Sequence, residues 1–255
     1  MNKQSETEST EKTSEDVDKI KQIASTIRVL VACEESQIVC SAFREYGFEA
    51  YSCDIEPSTG GHPEWHIQGD VLPELNKNWD LIIAFPPCTY LTTTGNRWFN
   101  MERYKEKAVK RKQDRVEAID FFMKIVNASC SKIAIENPVG IMSTNYRKPD
   151  QIVNPYEFGD PAEKRTCLWL KGLPKLKHTD VVVPPERIKF KSGKTMAKWY
   201  FDALKLSKKE RQRVRSKTFP GIALAMAEQW SGVLLAEKFN GLSQFENFYS
   251  FDSII

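Results

Sequence analysis

Residues 27–54 decide the fold: Ile27-Arg-Val-Leu-Val-Ala32, Cys33-Glu-Glu-Ser36, a segment from Gln37 to Tyr46, Gly47, and Glu49-Ala-Tyr-Ser-Cys53 followed by Asp54. The first run is apolar and rich in β-branched residues, as a strand buried on both faces must be. In the next segment Ile38, Val39, Ala42 and Phe43 share one helical face. Gly47 follows, and glycine ends a helix at little cost because it tolerates left-handed backbone. Strand, helix and strand with an acidic residue after the second strand make a βαβ unit of the kind that binds nucleoside cofactors.

The alternation continues outward. Trp79 to Phe85 is a further apolar strand that runs into Pro86-Pro87-Cys88. Arg103 to Ala128 reads as a long helix, basic early and amphipathic late through Val116, Ile119, Phe122, Ile125 and Val126. Lys132 to Glu136 is another strand, closed by Asn137-Pro138; Arg165 to Leu170 is a late strand, and Phe219 to Ala236 a helix. This order predicts an α/β fold with a Rossmann-like, doubly wound, mostly parallel sheet. The core is expected over 27–170 and 218–238. Residues 1–26 are polar and read as a disordered tail, with a short helix over Asp16–Ile23 as the alternative. Residues 171–217 are Pro- and Lys-rich, a small basic appendage with possible helices at Met196–Leu204 and Lys208–Arg215; 239–255 form a C-terminal tail.

The chain has 255 residues and 41% hydrophobic content, enough for a sizeable core. A net charge of +3, from 37 basic and 34 acidic residues, does not by itself demand a polyanionic partner. No apolar run resembles a secretory signal or a membrane span, so a cytoplasmic protein with no membrane partner is expected. The six cysteines contain no CxxC pair, so neither disulfides nor a zinc site are expected. His62 and His66 are either ligands on one loop or plain surface and packing histidines; the composition favours no metal.

Ligands of open α/β sheets bind at the carboxyl ends of the strands. Glu34, Ser36, Asp54, Ile55, Asp70 and Pro86 fall there and are candidate cofactor-binding residues. Asp54 is placed to accept both ribose hydroxyls of a nucleoside cofactor. Asp70 either meets an adenine amine or serves as a helix N-cap or a loop turn. In Phe85-Pro-Pro-Cys88, two prolines stiffen the backbone and fix the direction of the thiol. A cysteine there is either a nucleophile for an electron-poor ring or a buried structural residue. Glu136 on another strand end can hold or donate a proton to a ring nitrogen; otherwise Glu136-Asn-Pro138 is a plain turn.

Pro87-Cys88, Glu136-Asn137-Pro138, Arg165 of Lys164-Arg165-Thr166, Asp54, Asp70 and Phe219-Pro-Gly-Ile-Ala223 occur in one order along the chain. Together they resemble the cytosine-5 DNA methyltransferase family, and most closely its short phage- or prophage-encoded (bacteriophage) members. The resemblance implies a fold of the S-adenosylmethionine-dependent methyltransferase type, with S-adenosylmethionine as cofactor and DNA as partner. It implies Cys88, Glu136 and Arg165 as catalytic residues, and a target base that leaves the duplex. A monomer in the host cytoplasm is expected.

Two departures are visible. The family's first loop is glycine-rich, whereas Ala32-Cys-Glu-Glu-Ser36 has no glycine. The region available for target recognition is only 171–217, basic through residues such as Lys189, Lys191 and Lys194, with Phe190, Trp199 and Tyr200 among them. A second basic stretch holds Lys110 and Arg111. Basic side chains neutralise phosphates and aromatics stack on exposed bases, so nucleic-acid contact is expected at both. The alternatives are the same chemistry on a free nucleotide or RNA, and a nucleic-acid-binding relative without catalysis.

Overall fold

The structure, a computed structural model, describes residues 17–216 and 218–239. The tail residues 1–16 and 240–255 lie outside the described residues. Seven strands form one sheet in the order β3-β2-β1-β4-β5-β7-β6: β1 is Arg28–Ala32, β2 Glu49–Asp54, β3 His66–Gln68, β4 Leu81–Ala84, β5 Ile133–Pro138, β6 Gln151–Val153 and β7 Thr166–Lys171. Strands β1 to β5 pair in parallel; β7 runs antiparallel to both β5 and β6. The fold is therefore α/β and Rossmann-like, with a mixed, mostly parallel sheet. The strand expected at Arg165–Leu170 is present but reversed.

The continuous apolar runs have a simple cause. In β1, Val29 and Val31 enter one core and Leu30 and Ala32 the other; in β4, Leu81 and Ile83 oppose Ile82 and Ala84 in the same way. Successive side chains point to opposite faces, and both faces are covered. Helix α2 (Ile38–Glu45) and helix α7 (Pro220–Lys238) cover the first face, where Phe43 and Trp230 are fully buried. Helix α3 (Met101–Val126) covers the second with Phe122 and Ile125. Val116, expected on the buried stripe of α3, is 67% exposed. Residues 17–24 form helix α1, in line with the alternative of a short helix there rather than a disordered tail; Ile20, Ile23 and Ala24 pack on the first core.

Segment 171–217 has more structure than its composition suggests. A hairpin of β8 (Arg187–Lys189) and β9 (Thr195–Ala197) turns at Gly193, φ 78°, and leads into α5 (Lys198–Ala203) and α6 (Lys208–Ser216). It docks on the core through Arg187 paired with Glu163, and through the Trp199 indole N–H donating to the Glu163 carbonyl at 3.0 Å. Trp199 packs against Phe219 and Phe190 against Phe201, and both rings are half-buried. Lys189, Lys191 and Lys194 are exposed. Among the described residues no helix is long and apolar enough to cross a membrane.

Candidate active site

Strand order reverses beside β1, between β2 and β4, and in open α/β sheets the carboxyl ends of the strands at such a switch point are where ligands bind. The loop after β1 leaves this edge without glycine. Cys33 and Gln37 supply the left-handed backbone instead, with φ of 61° and 58°, a conformation that costs an L-residue roughly 1–2 kcal/mol. The neighbouring loop holds them there. The buried Gln37 amide donates to the His62 carbonyl at 2.7 Å and accepts from Ser58 Oγ at 2.7 Å and the His62 amide at 3.1 Å. Gly60 makes this approach possible, since a Cβ on it would lie 2.4 Å from the Gln37 Cβ. His62 stacks on Trp65, while His66 bonds Ser52 and the Glu56 carbonyl, so the two histidines have separate partners.

Of the expected cofactor residues, Glu34 has another task. Its buried carboxyl accepts from the Val39 and Cys40 amides at 2.7 and 3.2 Å, capping the orphan N–H groups of α2. Burial outweighs those bonds and pushes its pKa up to about 7. Ser36 is half-buried, Ile55 is 72% exposed, and Pro86 is buried. Asp54 is half-buried at the end of β2; one oxygen accepts from the Glu56 amide at 2.9 Å. Burial holds its pKa above the ordinary carboxylate value, with the nearby Glu35 adding to the shift. Asp70 is exposed, and its Oδ1 accepts from the Leu72 amide at 3.0 Å; no helix lies between it and β4, so the turn reading accounts for that oxygen.

The chemistry-bearing pair sits one strand further along. The buried Asn137 of β5 donates to the Pro86 carbonyl at 2.8 Å, fastening the Pro-Pro-Cys turn to β5. The Leu91 amide at 3.0 Å and the Thr92 amide at 3.1 Å close the turn on the Cys88 carbonyl. Thr92 then bridges Gly140, whose absent Cβ would sit 2.2 Å from the Leu91 carbonyl oxygen. Arg111 donates to the Thr89 carbonyl at 3.1 Å and Arg115 to the Tyr90 carbonyl at 2.9 Å. Arg111 thus ties this loop down from α3, whereas Lys110 is exposed and pairs with Asp114.

Cys88 is half-buried and feels Glu136 directly. Burial raises its thiol pKa, Glu136 raises it further, and Lys164 and Arg215 draw it back down. Burial likewise raises Glu136, against Lys164 and a hydrogen bond from Thr166. Thiol and carboxyl therefore share one electrostatic neighbourhood, with Lys164 acting on both.

Arg165 is the correction here. It is exposed and influences Cys167, not Cys88 or Glu136. Glu136 registers with Leu168 and Pro138 with Thr166 across the β5–β7 ladder, and Lys164 lies in the loop just before β7. Arg215, from the appendage, is the other cation that the sequence did not single out. Neither residue carries a local motif; only the folded position of the loop before β7 and the docking of α6 reveal them. No protein-family model matches the chain, and no curated protein matches it in sequence.

Proposed function

We propose that the chain is a methyltransferase that modifies carbon 5 of cytosine in DNA through a covalent Cys88 adduct. The observation that carries this reading is the placement of Cys88 just past β4 and Glu136 in the neighbouring β5, at the carboxyl edge of adjacent strands, where Glu136 raises the Cys88 thiol and Lys164 acts on both groups. The finer fold type, that of the S-adenosylmethionine-dependent methyltransferases, belongs to the same proposal. The cofactor fits this edge at one point above all: Asp54 keeps an oxygen beyond its Glu56 bond for ribose hydroxyls. The left-handed Cys33 gives the glycine-free loop a backbone otherwise typical of glycine.

The residues then divide the work. The Cys88 thiolate adds to carbon 6 of the base, forming the S–C6 bond and displacing the C5–C6 π electrons. Burial biases Glu136 toward its protonated form, which delivers that proton to ring nitrogen 3 and keeps the adduct neutral. Lys164 stabilises the thiolate before attack and again on release. S-adenosylmethionine, when bound, supplies an electrophilic methyl group to carbon 5. Loss of the carbon 5 proton to water restores the C5=C6 double bond, breaks the S–C6 bond to expel the thiolate, and returns the nitrogen 3 proton to Glu136.

Incubation with methyl-labelled S-adenosylmethionine and mixed-sequence DNA tests this. Label is expected in DNA and is lost with Cys88→Ser. Label in free deoxycytidine monophosphate alone, or equal labelling by the variant, overturns the reading.

A further inference from the structure

The loop that follows Cys88 ends beside a second cavity. Thr93–Phe99 is a 3-10 segment that carries Trp98 to 41% exposure. Tyr104 of α3 stands against it, with ring centroids 4.9 Å apart and the planes at 48°, and the Arg97 guanidinium lies 4.7 Å from the Trp98 ring centroid, the cation that a stacked base would displace. With Lys107, Lys110, Arg111 and Asp114 these rings line a cleft of about 350 Å³, the size of a small-ligand site. The only carboxylate in that lining, Asp114, is already bonded to Lys110 and to the Tyr90 hydroxyl. Lys107 is exposed, and among the described residues no ion pair engages it. Arg111 carries a buried Nε with no acceptor, an arrangement that costs roughly 1–3 kcal/mol until something supplies one.

Helix α3 breaks inside this wall. Lys105 has φ 43° and ψ −122°, so the first turn, where Asn100 accepts from the Arg103 amide at 2.7 Å, is set apart from the turns that carry Lys107 and Arg111. An aromatic face beside a cluster of cations suits a nucleobase joined to its phosphate: the ring stacks and the cations neutralise. A base within a duplex is already stacked on both faces, so only an unpaired one can use the Trp98 ring. We propose that this cleft binds an unpaired nucleotide of single-stranded DNA, with its base on Trp98 and its phosphate at Lys107 and Arg111. The proposal rests on DNA being the substrate and adds a site outside the Cys88–Glu136 pocket. Because Arg111 also holds the Thr89 carbonyl, a strand seated here touches the same loop that carries the nucleophile.

Fluorescence anisotropy with a labelled single-stranded oligothymidylate and a labelled blunt duplex tests it on the full chain. Trp98→Ala should weaken single-strand binding by about tenfold or more. Trp98→Phe should restore most of it, and neither change should alter duplex binding. Lys107→Ala should flatten the salt dependence by a slope of roughly 0.7, one phosphate's worth on a single strand. Unchanged single-strand affinity in Trp98→Ala, equal losses on both DNAs, or thymidine monophosphate binding as tightly as the oligonucleotide would each overturn it. Cys88→Ser should keep the Trp98-dependent binding, so a failure of methyl transfer and a failure of the cleft are read separately.

Discussion

The loops after β1 and β4 leave adjacent strands at the same sheet edge, yet different chemistry holds each in place. The first is fixed by side chains: Gln37 reaches into the following loop, Glu34 caps α2, and Glu35 accepts from Thr59 Oγ1 at 2.5 Å. Two of its residues sit in left-handed backbone, and its buried carboxyl titrates near neutrality. The second is fixed through its own carbonyls, by Asn137, Arg111, Arg115 and the bridge to Gly140. A loop held by an ionisable cap is sensitive to pH; a loop held by amides and arginines is not. The half of the edge assigned to the cofactor thus gains adjustability, and the half assigned to the nucleophile gains rigidity.

The sharpest break in that contrast is Gly140→Ala. Its Cβ would meet the Leu91 carbonyl oxygen at 2.2 Å, backbone against backbone. A loss of about 3 kcal/mol or more is expected in urea denaturation, identical at acid and neutral pH. A variant as stable as the parent refutes the close approach.

Glu34 gives the next largest effect, and its sign is fixed. The folded pKa is raised from 4.5 to about 7, so the folded chain binds the extra proton between those values. Stability therefore falls as pH rises through that window, by about 3 kcal/mol in total. Denaturation midpoints of the wild type should drop between pH 5 and pH 8, and those of Glu34→Gln should stay level. A parallel drop in both proteins places the titrating group elsewhere.

Asn137→Ala is the smallest of the three. It strands the buried Pro86 carbonyl, at a cost of roughly 1–3 kcal/mol. It should lower kcat for methyl transfer while KM for DNA holds, since the Cys88 turn loses its anchor and the surfaces facing DNA do not change. A fall in KM-dependent rate alone argues against the anchoring role.

Both-face burial makes β1 and β4 legible in the sequence, because every position in them after Arg28 is apolar. The three-residue β6 escapes notice because Gln151-Ile-Val153 is too short to show a period and lies at a sheet edge. Cys88 and Glu136 are readable because each directly follows or ends an apolar run. Lys164 is not, since only its position in the folded chain, acting on Cys88 and Glu136, sets it apart from Arg165. Trp98 and Arg215 belong to segments with weak periodicity, and only tertiary docking gives them a role. The absence of glycine from the first loop was visible, but its resolution through Gln37 and Gly60 depends on a contact between residues well apart in the chain.

Helix α7 is the last described element, and its Trp230 and Met226 fill the same core as Phe43 of α2. During synthesis, therefore, the part of α2 and of this core that α7 covers stays open until residues 220–238 have left the ribosome. Early collapse is left to the α3 side, and a prematurely stopped translation product would display the other as a sticky surface for chaperones or for its own copies.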